Sequence, residues 1–149
     1  MSYIRELRKL IGTQPIIMVG TNVIVLNDEQ SILLQLRYDN NCWGLPGGAL
    51  EMEENLEEVA TRELYEETGL TAKRLTLFNI FSGQEFYYQY PNGDEVYNVI
   101  TTYICTDYRG TLKPDKKEVQ ELNFFSIDEL PDNLNPSEVP IIQSFLNYA

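Results

Sequence analysis

Histidine does not occur in the 149 residues. Its absence excludes a Ser–His or Cys–His triad and leaves no imidazole to bind zinc or shuttle protons. Acid–base chemistry in this chain falls to carboxylates, Lys, Tyr or water on a metal. Cysteine is nearly absent as well. Cys42 and Cys105 are the only two, they form no CxxC arrangement, and a reducing compartment leaves both as thiols, a disulfide between them being the alternative. Basic residues are scarce: 11 Lys and Arg face 23 Asp and Glu, for a net charge of −12. Long nucleic acid is not an expected partner, because counterion release needs clustered Lys and Arg. An acidic site that receives a small phosphorylated ligand needs cations recruited with it. No apolar run approaches a membrane span, so no membrane contact is expected. The opening residues MSYIRELRKL carry charges where a secretion signal needs an apolar run, which points to the cytoplasm.

What is present is a chain long enough for a real core and too short for two ordinary domains, so one domain over 1–149 is expected. Tyr3 to Ile11 reads as an amphipathic helix, with Ile4, Leu7, Leu10 and Ile11 on one face. Strands are expected over Ile16–Leu26, Ser31–Arg37, Ala72–Phe81, Glu85–Tyr90, Glu95–Cys105 and Val119–Phe125. Asn92-Gly93 marks a hairpin. Trp43 to Leu50 (WGLPGGAL) is too rich in Gly and Pro for a regular element. Ile127–Leu130 reads as a helical turn, and Ser137–Tyr148 as a closing amphipathic helix.

The central helix carries the chemistry. Asn55 is a good N-cap, Glu58 can complete a capping box, and Gly69 is placed to end the helix in the left-handed conformation. At about 100° per residue, Glu63, Glu66 and Glu67 fall within an arc of roughly 100° that overlaps the arc of Leu56, Val59, Ala60 and Leu64. The first half of the helix turns an apolar stripe inward and the second half turns carboxylates the same way. Unpaired ionised carboxylates facing a core are costly, so such groups pair or coordinate a metal. Hard oxygen ligands suit Mg²⁺ or Mn²⁺. A structural Ca²⁺ site would instead prefer ligands from a flexible loop. Gly47 and Gly48 permit a tight turn, or the close approach of a backbone carbonyl to a cation.

Gly48, Glu54, Arg62-Glu63-Leu64, Glu66-Glu67 and Gly69-Leu70 stand at fixed spacing. This resembles the Nudix box, G-x5-E-x7-R-E-U-x-E-E-x-G-U with U aliphatic, at every fixed position. The resemblance implies the α/β (α+β) fold of that family, an αβα sandwich with a mixed, curved sheet between helices. It also implies hydrolysis of a diphosphate that links a nucleoside to another group, by water attack on phosphorus with Mg²⁺ or Mn²⁺. Glu63, Glu66 and Glu67 are then the metal ligands with the Gly48 carbonyl, and Arg62 pairs with Glu54 and orients the carboxylates. Glu63 or Glu118 is the general base, and Glu118 is a possible further ligand. Its competitors in the same segment are Asp115 and Glu121.

Arg37, ahead of the Gly-rich loop, can grip a phosphate or be a surface cation. Tyr87 and Tyr88 can stack a base or pack across strands. Dinucleoside-polyphosphate members of the family carry a Tyr about 16–18 residues after the box, where these two fall. ADP-sugar hydrolases tend to show a Pro near that interval, where this chain has Glu85 and Phe86. The expected partner is a small nucleotide, in a triphosphate, dinucleoside polyphosphate or nucleotide sugar. The alternative function is a Nudix-like module that senses a nucleotide without cleaving it. Glu53 stands where the family often has Gly. The oligomeric state is left open, a homodimer included.

Overall fold

The computed structural model describes residues 2–148. Helix α1 (Tyr3–Ile11) is followed by strands β1 (Ile16–Val25), β2 (Ile32–Arg37), β3 (Trp43–Gly44) and β4 (Gly47–Ala49). Helix α2 (Leu56–Thr68), strands β5 (Thr71–Phe81), β6 (Tyr87–Gln89), β7 (Glu95–Arg109) and β8 (Val119–Phe125), and helix α3 (Val139–Tyr148) complete the order. The larger sheet runs β4-β1-β7-β5, with β6 also on β7. Strands β1 and β7 are parallel and the other pairs antiparallel, so the sheet is mixed. The smaller sheet runs β3-β2-β8.

Side-chain alternation divides the interior into two cores. Val23, Val25 and Leu33 pack with Ala60 and Leu64 of α2. Ile24, Leu26, Ile32 and Leu34 pack with Ile141, Ile142 and Phe145 of α3. Both sheets are therefore covered by α2 on one face and α3 on the other, the αβα layering expected from the sequence. Helix α2 begins in a full capping box, with Asn55 and Glu58 exchanging side-chain-to-backbone hydrogen bonds of 2.8 and 2.9 Å. It ends at Gly69, whose φ of 81° only glycine adopts without strain.

Several boundaries differ from the sequence reading. The Gly- and Pro-rich segment Trp43 to Leu50 contains two short strands, because Trp43–Gly44 pairs with β2 and Gly47–Ala49 with β1. The strand expected over Glu85–Tyr90 shrinks to Tyr87–Gln89 behind a 3-10 turn at Gln84–Phe86. Ile127–Leu130 is a turn without helix. Helix α3 starts at Val139, since Asn135 accepts hydrogen bonds from the Ser137 amide and hydroxyl and shapes a turn there. Leu10 is 84% exposed rather than on a buried face. None of the described helices is long and apolar enough to cross a membrane.

Candidate active site

The chain crosses from the small sheet to the large one between Gly44 and Gly47, and α2 points Glu67 at that crossing. Glu67 Oε1 accepts hydrogen bonds from Gly47 N at 2.9 Å, on the large sheet, and from Gln35 Nε2 at 3.2 Å, on the small one. Arg37 Nη1 lies 3.7 Å from Oε2. The residue is only 3% exposed. Burial and the neighbouring Glu63 charge push its carboxyl up to about 8, against the opposing pull of the Gly47 amide, Arg37 and Gln35. Gly47 itself is wedged against β1, where a Cβ would overlap the Thr21 carbonyl.

Glu63 lies against the main chain of Gly48, where a Cβ would overlap its carboxyl carbon. Burial raises the Glu63 carboxyl above its usual range, with Arg62 opposing. Arg62 holds Glu54 through two bonds of 2.7 and 2.9 Å, a bidentate fork. Its Nη1 donates to Glu63 Oε1 at 2.8 Å and to Glu66 Oε1 at 3.1 Å. These bonds, the Glu54 pair first, raise the Arg62 pKa, and the same pair lowers that of Glu54. Glu66 sits at the rim with its side chain half exposed, so the inward arc read from the sequence holds for Glu63 and Glu67 and only partly for Glu66.

Among the described residues no three carboxylates close into a preformed metal cage. The donor set nonetheless fits a hard cation. Glu63, Glu66 and Glu67 each commit Oε1 to protein donors, and among the described residues none of their Oε2 atoms accepts a hydrogen bond. The Gly48 backbone adjoins Glu63 with no side chain between them.

Beside this cluster opens a cleft of about 460 Å³ lined by Gly47, Gly48, Arg37, Tyr88, Tyr90 and others. Arg37 is at its edge, held by Asp39 through bonds of 3.1 and 3.2 Å. Tyr88 lines the cleft, packed edge-on against Tyr90 at 4.8 Å. Tyr87 does not line it: strand alternation turns its ring onto Tyr97, and its hydroxyl donates to Glu95 at 2.5 Å. Of the two roles open to Tyr87 from the sequence, these contacts are those of cross-strand packing. Glu118 is exposed, outside the cleft lining, but close enough for its charge to act on Glu63 and Arg37. Asp115 is occupied in a turn, accepting from the Lys117 amide.

Two contributors were not foreseen. Gln35 is a fully buried amide in β2, visible in the sequence only as a polar residue amid Leu33, Leu34 and Leu36. Glu138 accepts from Leu45 N at 2.8 Å and from Asn135 Nδ2 at 2.9 Å. Burial pushes its carboxyl up to about 7. It ties the segment just before α3 to the Gly-rich loop, a pairing that no local signal in the sequence marks.

A family model described as the NUDIX domain matches residues 17–145. A Bacillus subtilis (strain 168) protein, provisionally named an 8-oxo-dGTP diphosphatase, is 35% identical over 130 residues, 87% of this chain and 80% of that protein. An ADP-ribose pyrophosphatase of Methanocaldococcus jannaschii is 32% identical over 110 residues, and the match spans 72% of this chain and 61% of the relative. The crystal structure of a MutT NUDIX hydrolase from Burkholderia pseudomallei superposes with a TM-score of 0.73 at 28% identity, over 87% of this chain and 97% of that one. With the family model matching most of its length, the chain belongs to the Nudix hydrolase family.

Proposed function

We propose that the protein hydrolyses the diphosphate linkage of small nucleotides with the help of a divalent cation, Mg²⁺ or Mn²⁺. The observation that carries this reading is Glu67: a buried carboxylate, aimed at the crossing between sheets, with one oxygen outside any hydrogen bond. Glu63, Glu66, Glu67 and the Gly48 carbonyl would hold the ion, with Glu118, whose charge acts on Glu63, as a further candidate. A bound Mg²⁺ supplies neutralisation of phosphate oxygens and acidifies water near neutrality.

The chain's own residues do the positioning. Arg62 fixes Glu63 and Glu66 through a fork anchored on Glu54, so both carboxylates are oriented before a ligand arrives. Gly47 N–H and Gln35 fix Glu67 in the same way. Arg37, at the cleft edge, grips a substrate phosphate. Water adds to phosphorus, the anhydride P–O bond breaks, and the proton released from water passes to Glu63 or Glu118 acting as base. The names of the relatives support a nucleoside triphosphate or a nucleotide sugar as substrate.

The test is a panel of triphosphates, dinucleoside polyphosphates and nucleotide sugars incubated with Mg²⁺, with products identified by mass. Release of a nucleoside mono- or polyphosphate and its phosphorylated partner fragment from at least one member, abolished by EDTA, is expected. No turnover of any member refutes the reading.

A further inference from the structure

The cleft is longer than the cluster at one end requires. Gly47 pairs with Asn22 on β1, whereas Met18, also a lining residue, lies four residues earlier, about 13 Å along the strand. Phosphates belong at the end that holds Gly47, Gly48 and Arg37, so the remaining length is available to the rest of a nucleotide. Helix α1 lies across that far end. On one flank the Tyr3 amide donates to Glu51 Oε1 at 2.7 Å, just past β4. On the other, Arg8 Nη2 donates to the Glu95 carbonyl at 2.6 Å and Nε lies 3.6 Å from Asp94. Glu95 immediately precedes Val96, which pairs with Ile16 at the start of β1.

The helix is not held there by a core. It buries no residue completely and belongs to neither apolar cluster. Arg8 is its anchor, with a side chain 11% exposed and further bonds of 2.9 and 2.6 Å to the carbonyls of Gly12 and Gln14. The clamp fixes the helix to the β6–β7 hairpin, which carries Tyr88, Tyr90 and Pro91, and Ile4 lines the same cleft as these residues. With Met18 and Ile100 they make a largely apolar and aromatic surface that includes the amide of Asn98, the chemistry that takes the flat face of a base.

We infer that α1, which lies outside the family-matched residues 17–145, forms the wall against which the nucleobase of the substrate rests. Ile4 is the contact residue, and Arg8 is the positioning residue that holds the wall on the hairpin. The inference rests on the cleft being a nucleotide site and goes further by assigning base recognition to a segment outside the family-matched residues.

The experiment compares binding of α,β-imido-dGTP and inorganic tripolyphosphate, by calorimetry in Mg²⁺, to the whole chain and to Arg8→Met, Ile4→Ser and the control Lys9→Ala. The wild-type protein should bind the nucleotide more tightly than tripolyphosphate. Arg8→Met and Ile4→Ser should each weaken nucleotide binding about fivefold to tenfold, the scale of one lost aliphatic contact, with tripolyphosphate changed less than about twofold. Lys9→Ala, on the exposed side of α1, should bind both ligands like wild type, and thermal melts should show all variants folded. The inference is overturned if Arg8→Met and Ile4→Ser bind the nucleotide like wild type, if they weaken both ligands equally, or if the wild type does not favour the nucleotide. Absence of turnover in the substrate panel would refute the hydrolase reading alone, because this comparison reads binding.

Discussion

Replacing Glu67 by Gln should stabilise the metal-free protein at alkaline pH while removing its activity. In the folded protein the Glu67 carboxyl keeps its proton up to about 8, against an ordinary value of 4.5. Because the folded state holds this proton to higher pH than the unfolded chain, the stability it contributes is intact below 4.5 and falls as pH rises to about 8. That window spans 3.5 pH units at about 1.4 kcal/mol each, so ionised Glu67 costs the fold about 5 kcal/mol at pH 9 as an order-of-magnitude ceiling. The Gln carbonyl can still accept from Gly47 N and Gln35 Nε2, but its amide then faces Arg37 in place of Oε2. The attraction of Arg37 is already contained in that ceiling, since it opposes the upward shift of the Glu67 carboxyl. A gain of about 2 kcal/mol at pH 9, well under the ceiling, corresponds to a Tm rise of about 4–8 °C, shrinking to nothing near pH 5. Saturating Mg²⁺ should reverse the order by stabilising only the wild type. Thermal melts in EDTA and in Mg²⁺ at both pH values, run beside a hydrolysis assay, read all of this. A Tm difference in EDTA that does not change with pH, or a variant that still turns over substrate, refutes the reasoning.

Gly48→Ala should lower activity at least about tenfold and stability by about 1–3 kcal/mol, read by steady-state kinetics and urea melts, because the new methyl overlaps the Glu63 carboxyl. Glu138→Ala, measured by urea unfolding at pH 5.5 where the wild-type carboxyl is mostly neutral, should lose about 2–4 kcal/mol, as the Leu45 amide and the Asn135 side chain are left without their acceptor. Glu53 has a φ of 69°, the left-handed region, which explains why glycine suits this position. Glu53→Gly should therefore raise the unfolding free energy read from urea melts by about 0.5–1 kcal/mol, where an ordinary helix or strand position would lose stability.

The central helix was legible because its signals are local. A capping box, an apolar stripe and a left-handed glycine all lie within 15 residues, and the structure keeps each of them. The hairpin at Asn92-Gly93 and the two-faced strands were legible for the same reason. What the sequence hid depends on the tertiary arrangement. Trp43–Gly44 and Gly47–Ala49 become strands only because β1 and β2 offer them partners. Arc arithmetic placed Glu66 with Glu67, yet Glu66 sits at the rim, bonded to Arg62 one turn before it. Tyr87 and Tyr88 look alike in sequence, and the pleat of β6 separates them. Glu138 lies 93 residues from Leu45, and nothing in either segment alone pairs them.

Crystals grown with Mn²⁺ and a non-hydrolysable nucleotide, with the ion located by its anomalous scattering, give the most direct measurement. An ion within about 2.5 Å of the Gly48 carbonyl and of Glu63 and Glu67 oxygens is the expected result. Density with those carboxylates still engaged only by Arg62, Gly47 and Gln35, and no ion beside them, would contradict the proposed site.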